Sequence, residues 1–329
     1  MMRFLVVCLL MLCSTSAFAS ITDYVVKQWN IQNGLPSQSL KSIAQDEQGY
    51  MWLGTQFGLS RFDGNTFTNF NTQNSDFLPS NGINKLLVDS TGLLWVGTKN
   101  GLVTLDPKTM MSQTFNVKGP VRDILEDSKG SIWIAANGLY YVARNQVTLN
   151  QNSALIVPVS NATAITQIVG SVSQMALSPE GIWLVNERHL LRLTNTSSDF
   201  AKLRLELTAK VSLPERLAQT IIHDMAWLEG NLYLASELGA YFLDLDDELR
   251  PFPLPNASNS AVYKFMSDSD GALWISTYGR LLFRNNSGDW QWVEPSQLDQ
   301  SIWFADIFRD NQNNIWLASF SEGLWLAHE

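Results

Sequence analysis

Residues 46–64, DEQGYMWLGTQFGLSRFDG, and residues 89–106, DSTGLLWVGTKNGLVTLD, are nearly the same phrase. A catalytic motif is needed once in a chain. A phrase that returns at a fixed interval is a building unit, and its count constrains the fold more than any other feature. It reads QDEQGYMWLGT at 45–55, VDSTGLLWVGT at 88–98 and EDSKGSIWIAA at 126–136. Weaker copies follow as LSPEGIWLVN at 177–186 and WLEGNLYLAS at 227–236, then clearer ones as SDSDGALWIST at 267–277 and RDNQNNIWLAS at 309–319. The aromatic anchors are Trp52, Trp95, Trp133, Trp183, Tyr233, Trp274 and Trp316, at spacings of 43, 38, 50, 50, 41 and 42 residues. Six of the 12 Trp are therefore anchors and need no cofactor to explain them.

Each unit reads as four short strands, a to d. Strand a is an alternating stretch such as Ile83–Val88. A D-x-x-G turn follows, in which Asp bonds its own backbone and Gly takes a positive φ. In the last copy Asn313 stands in the Gly position, the next most tolerant residue there. Strand b carries the anchor and then small residues. Strand c starts at Gly58-Leu59, Gly101-Leu102, Gly138-Leu139 and Gly323-Leu324, and strand d follows, as at Thr66–Phe70. One sheet cannot bury both of its faces alone, so the anchors should fill the space between neighbouring units. The predicted fold is all-β, a seven-bladed β-propeller of four-stranded blades. The last unit runs out before its strand d, and a surplus segment, Asp23–Trp29, stands at the front. That segment should complete blade seven and close the ring. Helix is expected to be scarce, with one turn at 214–220.

The first 19 residues have the pattern of a cleavable signal peptide: Arg3, an apolar run from Phe4 to Leu12, and Ala17-Phe18-Ala19. The expected division is residues 1–19 as signal peptide and 20–329 as propeller, a mature span of 310 residues or about 44 per blade. Cleavage removes Cys8 and Cys13, the only cysteines, and with them any disulfide or thiolate chemistry. It also changes the net charge from −9 to −10, which argues against nucleic acid or an anionic membrane as a partner. No later run is long and apolar enough for an ordinary membrane span. The expected location is the periplasm.

The run GLP…D-x-x-G-x-[LI]-W-[LV]-G-T-x-x-G-L-x-x-[FL]-D, clearest at 34–63 and 86–106, resembles the two-component regulator propeller repeat. That resemblance implies the exported sensor region of bacterial hybrid histidine kinases and diguanylate cyclases, with a small polar ligand, carbohydrate among them. The 329 residues contain one ring and no kinase, cyclase or membrane segment, so a free-standing binding propeller or the sensor part of a split receptor is expected, with an envelope receptor protein as the other kind of partner.

By analogy of fold, ligands bind where the d–a and b–c loops surround the channel. The b–c loops offer Gln56, Phe57, Lys99, Asn137, Glu187, Arg188, Glu237, Tyr278, Phe320 and Glu322. The starts of strand a offer Asn84, Arg122, Gln174, His223, Lys264 and Trp303. The residues expected to bind ligand are Phe57, Arg122, Arg188, His223, Lys264, Tyr278, Trp303 and Phe320, a mixture suited to ring stacking and charge-assisted hydrogen bonds. Ordinary solvated loop tips are the competing reading. No catalytic residue, metal site or cofactor is expected: His189, His223 and His328 stand in no metal spacing, and there is no G-x-S-x-G. His223-Asp224 could be an acid–base pair only by adjacency, and neighbours on a regular strand point to opposite faces. The alternative to a binding module is a propeller enzyme resembling streptogramin lyases, lyase or hydrolase, with His223 as the best-placed residue; a protein-binding scaffold is the third reading. Asp244–Glu248 reads as a solvated c–d turn, not a Ca²⁺ loop. The longer intervals at 150–171 and 196–220 read as drift in a degenerate blade, with a lid as the other reading.

Overall fold

The computed structural model describes residues 25–144, 147, 157–158, 171–195, 205–255, 260–267, 271–293 and 302–328. The signal segment, Cys8, Cys13 and the Asp268-Ser269-Asp270 turn lie outside the described residues, as do parts of both long intervals. Seven four-stranded antiparallel sheets make up the fold. The inner strands a neighbour one another in sequence order, and that of blade seven, Phe304–Arg309, neighbours that of blade one, Leu40–Gln45. This is a closed seven-bladed propeller.

Closure occurs through the N-terminal segment. Val25–Trp29 pairs antiparallel with Leu324–His328 over five positions, from Val25↔His328 to Trp29↔Leu324. The strand order of blade seven is thus N-terminal strand, then c, b and a, with a ring-closing strand from the other end of the chain. Strand a of blade two is Ile83–Val88 as expected, whereas strand d of blade one starts at Phe67, one residue later than expected. Thr66 is drawn into the turn, where its N–H and Oγ1 both donate to Asp63. The one described α-helix is the turn Glu215–Ala218.

Strand b is buried along its whole length in blades one, two, three, six and seven, because neighbouring sheets cover both of its faces. Every anchor sits in a cluster with residues of the next blade: Trp52 with Ile83 and Leu94, Trp183 with Met225 and Leu232, Trp316 with Ile43 and Leu53. A buried ring of this size removes ~150–250 Å² from water, or about 4–6 kcal/mol at ~25 cal/mol per Å². The Asp of the turn does more than close it. Asp46 Oδ1 accepts from Gln48 N and Tyr50 N, and its Oδ2 accepts from Trp52 Nε1 at 2.7 Å. The same Asp-to-indole bond recurs at Asp89–Trp95, Asp127–Trp133 and Asp310–Trp316. One carboxylate therefore holds the turn and satisfies the buried indole N–H, which otherwise carries a desolvation cost. Blade four has Ser178 where blades one, two, three, six and seven have Asp, and Trp183 Nε1 is buried without a partner among the described residues. Asn313 has φ of 69°, as its place in the turn demands.

Candidate functional site

Antiparallel order puts the ends of strands b and d and the starts of strands a and c on one face. In blades one, two, five, six and seven the b–c loop is fixed by a hydroxyl at the end of strand b, whereas strand b of blades three and four ends in Ala136 and Asn186. Thr55 Oγ1 donates to Gly58 O and accepts from Phe57 N; Thr98, Ser236 and Thr277 donate to the same carbonyl position in their own blades.

Strand a is irregular at that face. Its register with strand b shifts between Leu40 and Ser42, Ile83 and Lys85, Val172 and Met175, Ile222 and Asp224, Val262 and Lys264, and Phe304 and Asp306. Each shift is a β-bulge, in which two residues oppose one and a side chain is re-aimed. This corrects the expectation from strict alternation. His223 and Asp224 do not diverge to opposite faces; both line the central cavity. The bulges put two tiers of side chains into the channel. Lys41, Asn84, Arg122, His223 and Tyr263 belong to the outer tier. Ser42, Lys85, Asp123, Asp224, Lys264 and Asp306 belong to the inner one.

The inner tier is an ion-pair network. Lys264 Nζ lies 3.0 Å from Asp224 and 3.8 Å from Asp306, and Lys85 Nζ lies 2.9 Å from Asp123. Burial alone would lower the Lys264 pKa, but Asp224, Asp306 and Asp123 outweigh it, so the ammonium is held charged. The carboxylates also join blades. Asp123 Oδ2 accepts from Met175 N, Asp224 Oδ2 from Phe265 N, and Asp306 Oδ2 from Ile43 N, each in the following blade. Removing one partner from such a pair leaves a desolvated charge and costs roughly 3–5 kcal/mol. The network floors a cavity of about 750 Å³ to which every blade contributes.

Its walls differ in chemistry. Blades five to seven supply a column of rings. His223 lies 4.8 Å from Tyr263, Tyr263 stacks on Trp303 at 4.4 Å, and Trp303 stacks on Phe320 at 4.5 Å. His223 Nε2 is 2.7 Å from Glu237 Oε1. Burial, then Glu237 and Tyr278, push the Tyr263 hydroxyl up to about 12. Blades one to three supply Lys41 and Arg122. Lys41 Nζ donates to Asn84 Oδ1 at 2.8 Å, and Arg122 donates to Asn137 Oδ1 at 3.3 Å. Burial, then Lys99, lowers the Lys41 pKa.

Of the residues expected from sequence, Arg122, His223, Lys264, Trp303 and Phe320 line this cavity. Lys264 is committed to the ion-pair floor. Trp303 has both ring faces covered, so the open ring is Phe320, at 39% exposure. Phe57 and Tyr278 stand on b–c loops of the same face, more than half exposed and outside the lining; Arg188 is likewise exposed outside it. Lys41, Tyr263, Asp224 and Asp306 were not expected. Nor was the segment after strand d of blade four, Leu205–Ser212: Leu213, Leu217, Thr220 and Ile221 form part of the cavity wall, so that stretch of the long interval is wall and not drift. Asp244–Glu248 does form the c–d turn of blade five, with Asp244 and Glu248 bound by Arg250.

Known proteins share the repeat and the ring. The sequence profile of the family described as two component regulator propeller matches residues 34–57, 78–100 and 256–279. Histidine kinase P4 of Formosa agariphila is 36% identical over 58 residues, which is 18% of this chain and 4% of that protein. The extracellular domain of the hybrid two component system BT3049 of B. thetaiotaomicron superposes with a TM-score of 0.70 at 18% identity, over 92% of this chain and 42% of that one. A streptogramin B lyase superposes with a TM-score of 0.65 at 15% identity, over 93% of this chain and 97% of that one. At these identities the structures share the fold. The chain spans less than half of the two-component proteins it matches.

Proposed function

We propose that this chain, which carries two component regulator propeller repeats, is an exported ligand-binding propeller of the sensor type, acting without chemistry of its own. The observation that carries the reading is the central cavity. Its floor is closed by paired charges, its walls offer an open aromatic ring and half-buried cations, and its volume is within the ~300–1,000 Å³ usual for small-molecule sites. The seven b–c loops are each pinned or paired at their base, so the site is largely preformed, which reduces the ordering cost of binding. A small polar ligand with a ring face suits these walls. Export is supported by the leader-like first 19 residues and by the extracellular position of the two-component domain of like fold. Among the described residues no helix is long and apolar enough to cross a membrane.

The test is thermal. A metabolite and glycan library screened against the full chain should contain compounds that raise its melting temperature saturably, and Phe320→Ala should abolish the rise. A library without any stabilising compound would sink the reading. An enzyme reading has support in the likeness to the streptogramin B lyase and in the His223–Glu237 contact at the cavity wall. Turnover of a stabilising compound, lost in His223→Ala, would favour it.

A further inference from the structure

Resting on the binding reading above, the charge pattern of the cavity specifies its ligand further. The two deep lysines, Lys85 and Lys264, each have an Asp partner. The outer cations do not. Lys41 and Arg122 come from blades one and three, with the exposed Lys99 of blade two beside them outside the lining, and among the described residues none of the three has a carboxylate within ion-pair distance; Lys41 and Arg122 meet only the amides of Asn84 and Asn137. A half-buried cation without a counter-ion is costly, and like charges side by side add to the cost. The lowered Lys41 pKa reflects both.

The local backbone is shaped for this arrangement. A Cβ on Gly82 would sit 2.5 Å from the Lys99 side chain, and a Cβ on Gly119, at φ +80°, would sit 2.3 Å from the Asn137 amide. Both d–a loops thus leave room for the b–c loop side chains to lie across them. The outer carboxylates of the lining are segregated on blades four and five, as Glu187 and Glu237, and Glu237 already faces His223. Blade seven, next to Lys41, presents Phe320 with one face covered by Trp303 and the other open.

We infer that the cavity takes a small carboxylate-bearing ring compound, its carboxylate on the Lys41–Arg122 side and its ring against Phe320. An arriving carboxylate supplies the counter-ion that the outer tier lacks, and Asn84 and Asn137 hold the two donors in place. The single negative charge and the ring can come from an acidic sugar or from an aromatic acid. A long polyanion does not fit a chain of net charge −9 with acids on the neighbouring rim.

The experiment is calorimetric titration of the full chain with pairs that differ only in the acid. Galacturonate is set against galactose, and 4-hydroxybenzoate against 4-hydroxybenzamide. The acid of one pair should bind at least about tenfold more tightly than its neutral partner and weaken as salt rises. Which pair responds identifies the source. Lys41→Gln and Arg122→Gln should each lose about fivefold to tenfold for the acid and little for the neutral partner, while Phe320→Ala weakens both. Equal binding of acid and neutral partners, or unchanged affinity in both cation variants, overturns the acid inference and leaves the binding reading standing. Stabilisation of the chain by neutral library compounds with no binding of either acid does the same. Absence of any small-molecule response overturns both.

Discussion

The ring is held shut by one five-residue strand, and Trp29 is its largest contribution. The indole is 6% exposed, stacks on Trp316 at 5.7 Å and meets the edge of Phe62 at 5.0 Å. It therefore joins blade seven to blade one. Truncating such a ring to Ala costs about 3–5 kcal/mol, from lost transfer energy and from the cavity left behind. Unfolding entropy of ~2.1 cal/mol/K per residue over roughly 300 residues is about 0.6 kcal/mol/K, so Trp29→Ala should melt ~5–8 °C below the parent. Gly323 offers an independent approach. A Cβ there would lie 2.3 Å from Trp29 O, at φ +83°, so Gly323→Ala should push the closing strand away and lower the melting temperature as well. Deleting residues 20–30 removes all five paired positions and exposes the edge of Leu324–His328, with aggregation the expected result. A synthetic peptide of residues 25–33 added in trans should recover part of the loss by strand addition. The assay is scanning calorimetry of the purified variants. If Trp29→Ala and the deletion both melt within about 1 °C of the parent, a margin well under the shift worked above, the N-terminal strand does not close the ring.

Two further outcomes follow from buried polar groups. Trp52→Phe strands Asp46 Oδ2 and should cost ~1–3 kcal/mol in urea unfolding, whereas Trp183→Phe, whose indole N–H has no partner among the described residues, should cost clearly less; equal losses would refute the role given to the Asp-to-indole bond. Tyr263 keeps its proton to about pH 12, above the ~10 of an unfolded tyrosine, so its contribution to stability is complete below ~10 and is lost as pH rises from there towards 12; burial raises Tyr233 as well, so ultraviolet titration should show a late component after the wave near pH 10, and Tyr263→Phe should diminish that component and leave the early wave unchanged.

The blade count, the order of strands and the closure were legible because they depend on residues with a single structural use. Gly and Asn313 mark turns that need positive φ, and the Trp anchors mark the one strand covered on both sides. The front segment was legible as the closing strand because the last unit lacked a fourth strand and the first had one too many. The Asp-to-indole bond was also present in the text, as a constant interval of six residues between Asp46 and Trp52, Asp89 and Trp95, Asp127 and Trp133, and Asp310 and Trp316. It was hidden by a sufficient simpler account of the same Asp, the turn.

The site was legible in its face and only half legible in its members, and the reason is the bulge. Strict alternation sends every second side chain of strand a away from the channel. Yet strand a repeatedly reads apolar, variable, polar, apolar: Leu40-Lys41-Ser42-Ile43, Ile83-Asn84-Lys85-Leu86, Ile222-His223-Asp224-Met225 and Val262-Tyr263-Lys264-Phe265. Two consecutive non-core residues between core residues violate a period of two, and the violation recurs at the same place in unit after unit. Read that way, the pattern already contains the register shift and both tiers of the channel. The inner residue is constrained by its partner in the next blade, so Asp123, Asp224 and Asp306 each meet a backbone N–H there. The outer residue has no such partner to satisfy. It is Lys41, Asn84, Arg122, Ser173, His223, Tyr263 and Ala305 from blade one to blade seven, and that freedom is what allows the cavity wall to carry cations on blades one and three and rings on blades five to seven.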